Sequence, residues 1–279
     1  MKLAPKEPTS NSGGQKLIYD IGMHACEDTD FYLTKGYSVV AVEANPAACK
    51  AASERYASEI ARGQLAIVNR AISTTRSPLV FYVCESNGAW STASPKLRDF
   101  WRDREGASFV EIVVDGITMP ELIGEYSVPY YAKIDIEGFD LVCLRGFLEC
   151  QARPSYLSFE IDFDMVDQMI DCATEMGYGQ FSLVSQKGAA KQKAPRPALE
   201  GLDVDYTFVY GSSGLFGREL QTDWVDARKM RSRCNAIVNQ HRAFGLLRRV
   251  GRLLPIDVAK VQTKYFPLSW DWYDIHASV

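Results

Sequence analysis

Short apolar runs alternate with helical patterns along the chain, beginning with the stretch from residue 16 to residue 46. Residues 17–19 and 39–42 are apolar runs that predict two strands, and residues 27–35 predict a short helix between them. Gly36 follows this helix, at the point where a left-handed glycine typically ends one. The order strand, helix, strand indicates a βαβ unit, which binds a nucleotide-like ligand at the carboxyl ends of its strands.

The alternation continues to about residue 210. Further strands are predicted over residues 65–72, 79–84, 109–114, 130–134, 156–161, 181–184 and 206–210. Helices are predicted over residues 46–63, 95–103, 119–125, 140–147 and 164–176. This order is typical of an α/β fold with a mostly parallel sheet and helices on both of its faces.

The last part of the chain has a different pattern. Residues 224–254 predict a long helix, whose basic part contains no acidic residue. Its apolar face is predicted from Ala243, Leu246, Leu247, Val250, Leu253 and Leu254. The cationic face has three interpretations: solvated charge, weak contact with an anionic acceptor or membrane surface through residues 228–254, or a subunit contact. The terminal aromatic residues and His276 are interpreted as a tail docked on the core, with a lid as the alternative.

Composition and charge divide the chain further. The net charge of −4 over 279 residues argues against a general nucleic-acid binder, although residues 212–279 carry 11 Lys and Arg against 6 Asp and Glu. We predict a disordered N-terminus (1–14), an α/β ligand-binding domain (15–211) and a basic helical extension packed on the core (212–279). Seven cysteines without C-x-x-C spacing, and the lack of a transmembrane or signal segment, favour a cytoplasmic protein with reduced thiols. The oligomeric state stays open.

The turn after the first strand decides which nucleotide ligand fits. A dinucleotide fingerprint requires G-x-G-x-x-G, but His24 and Glu27 stand where the second and third glycines after Gly22 would be. A pyrophosphate approaching the backbone needs those glycines, whereas an adenosine ligand without phosphate does not. Glu43, at the end of the second strand, can accept hydrogen bonds from both ribose hydroxyls. S-Adenosylmethionine therefore fits this turn better than NAD does.

Three stretches together resemble the FkbM family of S-adenosylmethionine-dependent methyltransferases. They are YDIGMHACEDTDFYLTKGYSVVAVEANP, YYAKIDIEGFD with YLSFEID downstream, and the closing WYDIHA. The loop around Trp90-Ser91-Thr92 and GSSGLFG at 211–217 are also similar to family patterns. The resemblance implies a class I methyltransferase (Rossmann-like) sheet of seven strands in the order 3-2-1-4-5-7-6, with O-methylation as the usual chemistry. One position departs from it, because family members commonly carry glycine where this chain has Cys26.

The predicted cofactor-binding residues lie at the ends of the first three strands and of the strand at 130–134, in the turn after the first strand, and at the start of the first helix. Asp20 is expected to pair with the cofactor's ammonium, directly or through water, and Gly22 to allow close backbone approach. Asp28 and Thr29 either cap the helix or meet the methionine carboxylate. Asn69 and Ser73 bracket the end of the third strand, where adenine would lie. The full predicted set is Asp20, Gly22, His24, Asp28, Thr29, Glu43, Asn69, Ser73 and Asp135.

Asp135 and Glu137 follow the strand at 130–134 and are the candidate catalytic residues. Methyl transfer to oxygen is an in-line displacement that needs a positioned nucleophile and removal of its proton. Either carboxylate can be that base or help hold a divalent metal, although no zinc-ligand spacing occurs and no metal site is predicted. The predicted substrate-binding residues are Asn87, Trp90 and Ser91 on a loop that can close over the acceptor, and Glu160 at the end of the next strand.

The sequence thus predicts an S-adenosylmethionine-dependent methyltransferase acting on a hydroxyl of a small molecule, glycan or glycolipid precursor. Two alternatives stay open. One is an NAD-dependent oxidoreductase, which the missing glycines oppose. The other is a non-catalytic adenosyl-ligand sensor or scaffold that binds a partner through the basic helix, which Cys26 makes conceivable.

Overall fold

A computed structural model of the chain describes residues 16–251 and 272–279, with the side chains of residues 247–251 left aside. The segment predicted to be disordered (1–14) and most of the terminal aromatic cluster lie outside the described residues. The strands are β1 (Leu17–Ile21), β2 (Ser38–Val42), β3 (Leu65–Val68), β4 (Ala71–Ile72), β5 (Leu79–Cys84), β6 (Phe109–Val114), β7 (Gly116–Ile117), β8 (Tyr131–Ile134), β9 (Tyr156–Glu160), β10 (Gln180–Ser185) and β11 (Tyr273–Ser278). The helices are α1 (Glu27–Thr34), α2 (Pro46–Arg55), α3 (Ala57–Ala61), α4 (Pro95–Glu105), α5 (Met119–Tyr126), α6 (Asp140–Glu149), α7 (Val166–Glu175) and α8 (Ala227–Gly251).

The main sheet has seven strands in the order β3-β2-β1-β8-β9-β11-β10. β3, β2, β1, β8 and β9 are parallel, while β11 is antiparallel to both of its neighbours. The α/β class and the mostly parallel sheet are therefore confirmed. The assignment of the strands differs from the expected one. The last strand is β11, whereas residues 206–210 form no strand.

Four strands do not belong to the main sheet. β5 and β6 pair with each other in an antiparallel sheet, and β4 pairs with β7. The predicted strand at 65–72 is divided into β3 and β4, because the chain turns at Asn69, whose side-chain amide donates to the carbonyls of Glu43 and Ala44. The predicted helix at 46–63 is likewise divided, since Tyr56 has φ −109° and ends α2.

Helices cover both faces of the main sheet, as predicted. On one face α5, α6, α7 and α8 pack against the sheet in a large apolar cluster that includes Leu122, Leu144 and Met169. On the other face α1 and α2 pack against the sheet together with an irregular segment, which contributes Phe208 and Phe216. This segment forms no strand and packs on α1 through aromatic contacts. The centroid of the Phe208 ring lies 4.6 Å from that of Phe31.

The basic helix α8 packs through a different face from the predicted one. Met230, Cys234 and Ile237 are buried against the sheet, whereas Leu246 is 65% exposed. Arg231 forms ion pairs with Asp167 and Asp171 on α7, so part of the positive charge is neutralised within the fold. Among the described residues no helix is long and apolar enough to cross a membrane. Weak membrane-surface contact through this helix stays a prediction.

Candidate active site

Acidic residues meet at the edge formed by the carboxyl ends of the parallel strands. β1 and β8 are neighbours, and the main-chain amide of Asp135 donates to the Ile21 carbonyl at 2.9 Å. Asp135 and Glu137 follow β8, and Glu160 is the last residue of β9. One carboxylate oxygen from each of the three lies within 4.8 Å of the others. The structure thus brings both predicted catalytic residues together with one predicted substrate-binding residue.

The turn after β1 is held in a strained conformation. The amides of Gly22 and Met23 both donate to the Val42 carbonyl at the end of β2. Gly22 has φ 91°, and a Cβ atom there would lie 1.8 Å from the carbonyl oxygen of Asp135. The glycine therefore allows the main chain to lie close to the residue that follows β8. His24 and Cys26 have φ 47° and 68° without being glycines. Such conformations cost about 1–2 kcal/mol each, and they concentrate at functional sites.

Glu43 lies beside this turn. Its Oε2 atom accepts the amide of His24 at 2.9 Å, and its Oε1 atom accepts the amide of Asn45 at 2.7 Å. These two bonds fix the carboxylate, and each oxygen keeps a further lone pair for a ligand. Burial raises the pKa of Glu43 above its ordinary value. Asn69 contacts the main chain of this segment, whereas the Ser73 amide donates to Ile117 on β7 and its hydroxyl accepts from the Thr75 amide.

Lys133 is a buried cation that the site predictions do not include. Its side chain is 6% exposed, and its ammonium nitrogen lies 3.5 Å from Asp20, 3.4 Å from Asp28 and 3.4 Å from Asp135. It also donates to the Gly22 carbonyl at 3.1 Å. Burial alone would lower the pKa of Lys133, but the charges of Asp20, Asp135 and Asp28 outweigh it and raise the pKa well above its usual range. The visible signal in the sequence is a single lysine in an otherwise apolar strand.

Three predicted cofactor-binding residues are buried by protein. Asp20 and Thr29 are fully buried, and the Thr29 hydroxyl donates to Asp20 at 2.5 Å. Asp28 is 2% exposed and accepts the amides of Ser213 and Gly214. Asp20 therefore faces the ammonium of Lys133. Its pairing with a cofactor ammonium, directly or through water, stays a prediction. These three residues position Lys133 and the segment at 211–214.

His24 connects the turn to the loop that carries the predicted substrate-binding residues. Its Nδ1 atom is bonded to the Glu27 carboxylate at 2.9 Å, and this bond is the main cause that raises the pKa of His24. A Cβ atom on Gly88 would lie 2.7 Å from the Nε2 atom of His24. The loop therefore rests directly on the imidazole, which is 42% exposed.

The loop from residue 85 to residue 94 is tied down by its own polar groups. Asn87 accepts from the Ala89 amide, and Ser91 accepts from the Cys84 amide at the end of β5. Trp90 stacks on Trp101 of α4, with ring centroids 4.5 Å apart and an angle of 6° between the rings. This stacking packs the loop against α4. Substrate binding by these residues stays a prediction.

Glu137 adopts a left-handed conformation with φ 49°, followed by Gly138 with φ 90°. The hydroxyl of Thr92 donates a hydrogen bond to the carbonyl of Glu137 and so holds this turn. Thr92 is fully buried. Burial, with repulsion from Asp135 and Asp140, raises the pKa of Glu137 well above its usual range. Burial and the neighbouring acids also raise the pKa of Glu160, and they raise that of Asp140 to about 7. The end of β8 is therefore a cluster of carboxyl groups whose negative charges would repel one another.

Comparison with known proteins identifies the family. A model described as the methyltransferase FkbM domain matches residues 20–179, which is more than half of the chain. The chain belongs to the FkbM methyltransferase family. The matched span runs from Asp20 through β9 and includes all fourteen predicted site residues. The strand β11 and the basic helix α8 of this FkbM methyltransferase lie beyond it.

Two further comparisons add little to that assignment. A solved structure of a precorrin-6y C5,15-methyltransferase from Geobacter metallireducens GS-15 is similar, with a TM-score of 0.38 and 9% identity over 94% of this chain and 79% of that chain. A likeness of this degree carries no argument about function. No curated protein matches the chain.

Proposed function

We propose that this FkbM methyltransferase uses S-adenosylmethionine to methylate a hydroxyl on a small-molecule or saccharide acceptor. The observation that carries the proposal is the geometry of Glu43. Two main-chain amides fix its carboxylate at the end of β2, and the remaining lone pairs suit two neighbouring ribose hydroxyls. The family assignment supports the same reading, since methyltransferases of this class generally take their methyl group from this cofactor.

The residues of the turn fit an adenosine ligand without phosphate. Cys26 is 2% exposed and occupies a left-handed position at the start of α1, where a dinucleotide site would need open glycine backbone. The ribose would be held by Glu43.

When bound, S-adenosylmethionine would supply an electrophilic methyl group in line with the acceptor oxygen. The chain's own carboxylates would receive the acceptor's proton as the carbon–oxygen bond forms. Asp135 suits this role better than Glu137, because Lys133 stabilises its negative charge at 3.4 Å. Burial and the neighbouring acids raise the pKa of Glu137 and so disfavour its ionised form. The stacked Trp90 and its loop would limit access of water to the acceptor.

Calorimetric titration with S-adenosylhomocysteine tests the proposal. The wild-type chain is expected to bind it and not NAD, and Glu43→Gln should weaken binding by about 10- to 100-fold, since hydrogen bonds to charged groups contribute about 1.5–3 kcal/mol. Glu54→Gln on the exposed face of α2 is the matched control and should bind like the wild type. Binding of NAD without binding of S-adenosylhomocysteine would overturn the cofactor assignment.

A further inference from the structure

The three carboxylates at the ends of β8 and β9 have the geometry of a cation site. One oxygen from each of Asp135, Glu137 and Glu160 lies within 4.8 Å of the others. A single ion can contact all three at this spacing, because two ligand oxygens on opposite sides of Ca²⁺ are about 4.6–5.2 Å apart at its usual bond lengths of 2.3–2.6 Å.

Asp140 supplies a second and independent observation. Its side chain is only 4% exposed, and its Oδ1 atom has no hydrogen-bond partner among the described residues. Main-chain groups of Ile136 and Glu160 form hydrogen bonds to its carboxyl group, which therefore lies between the two segments that carry the three carboxylates. A buried acceptor atom without a donor costs about 1–3 kcal/mol, and a ligand in the cluster would remove that cost.

The charge balance at this edge also calls for a cation. Within the described part of the chain, no ion pair is found for Glu137, Asp140 or Glu160. Lys133, the buried cation of the site, is shared among Asp20, Asp28 and Asp135. Asp274 adds another buried carboxylate, opposite Glu160 in the register of β11 with β9. Buried charges are ordinarily paired or bound to a metal.

We infer that Asp135, Glu137 and Glu160 bind a hard divalent cation, with Asp140 buried beside them. Carboxylate oxygens are the ligands that Mg²⁺, Mn²⁺ and Ca²⁺ prefer. Three protein ligands leave open coordination positions, one of which would take the hydroxyl oxygen of the acceptor. A bound cation lowers the pKa of such a hydroxyl and so eases removal of its proton. This catalytic role rests on the proposed methyl transfer, whereas binding of the cation does not.

Titration of the metal-free chain with Mn²⁺, followed by the electron paramagnetic resonance signal of the free ion, tests the inference. The wild-type chain should bind one Mn²⁺, with Mg²⁺ or Ca²⁺ competing for the site. Glu160→Gln should weaken binding at least 10-fold. Glu175→Gln, on the exposed end of α7, is the matched control and should not change it.

Folding of the variant is checked in the same metal-free buffer. Glu160→Gln removes a charge from a repulsive cluster, so its melting temperature should equal or exceed that of the wild type, and lost binding then reflects a lost ligand. A wild-type chain that binds no Mn²⁺, or a Glu160→Gln chain that binds it unchanged, would overturn the inference. Titration with S-adenosylhomocysteine separates the two proposals. Binding of the nucleoside without Mn²⁺ removes only the cation site, and binding of Mn²⁺ without the nucleoside removes only the proposed function.

Discussion

The hydroxyl of Thr92 donates a hydrogen bond of 2.7 Å to the main-chain carbonyl of Glu137. The same hydroxyl oxygen accepts the amide of Ser94 at 2.8 Å. One buried atom thus joins the loop at 85–94 to the strained turn after β8. The contact links two segments that are 45 residues apart in the chain.

Thr92→Val preserves the shape of the side chain and removes both hydrogen bonds. Two partly buried main-chain groups then lose their partner, so the free energy of unfolding should fall by about 1–3 kcal/mol in urea denaturation. Thr34→Val, at the exposed end of α1, removes a hydrogen bond to the Asp30 carbonyl and serves as the control, with a change within about 0.5 kcal/mol. Equal stability of both variants would show that the loop is not anchored through Thr92.

Lys133→Met should destabilise the chain strongly. Removing one partner from a buried ion cluster costs about 3–5 kcal/mol, because Asp20, Asp28 and Asp135 are left without a cation. The loss should be larger at pH 8 than at pH 5, since protonation of the carboxylates at low pH relieves their repulsion. Urea denaturation at the two pH values measures it.

Two further variants sharpen the Lys133 experiment. Lys50→Met removes a 79% exposed lysine and should have almost no effect on stability. Adding Asp28→Asn to Lys133→Met should restore part of the lost stability, because one of the uncompensated charges is gone. A Lys133→Met chain as stable as the wild type would contradict the electrostatic account of the site.

Gly88→Ala should displace the imidazole of His24. The new Cβ atom would lie 2.7 Å from Nε2, so the ring must move away from its hydrogen bond with Glu27. The pKa of His24, which this bond raises, should then fall toward its ordinary value. NMR titration is practical because the chain has 3 histidines. Gly179→Ala adds a Cβ atom that meets nothing within 4 Å and should leave the titration unchanged. The idea fails if His24 titrates alike in both variants and the wild type.

His276→Phe should remove one cause of acid instability. His276 is 2% exposed, both ring nitrogens lack hydrogen-bond partners among the described residues, and burial lowers its pKa to about 3. The folded chain therefore keeps the ring neutral, while the unfolded chain takes up a proton below its ordinary pKa of about 6.5. Stability from this residue is complete above that value and is lost as the pH falls toward 3.

The difference between the wild type and His276→Phe should grow by about 2 kcal/mol between pH 8 and pH 5 in favour of the variant. Phenylalanine keeps a flat ring beside Tyr131, on which His276 is stacked at an angle of 10°. At pH 8 the variant should be at least as stable as the wild type, because two unpaired nitrogens are removed. Parallel pH profiles for the two chains would refute the assignment of a neutral buried histidine.

The sequence predicts the parallel half of the fold well. Apolar runs that end in acids place Glu43, Asp135 and Glu160 at one edge, since the carboxyl ends of parallel strands meet there. What it does not predict depends on contacts between distant segments. A lysine can be buried at position 133 because acids from three segments converge on it. Residues 206–210 have the composition of a strand, but packing of Phe208 on Phe31 holds them in an irregular conformation. The short run at 273–278 is no more apolar than many loops, and its role as a strand depends on β9 and β10.

The position of β11 has a consequence for synthesis of the protein on the ribosome. β10 pairs only with β11 among the described strands, so it cannot join the main sheet until residues 273–278 have been translated. Until then β9 and β10 present unpaired backbone edges, which are prone to associate with other chains. The main sheet is therefore complete only after residues 273–278 have been translated, and a product truncated before residue 273 would be a substrate for chaperones and proteases.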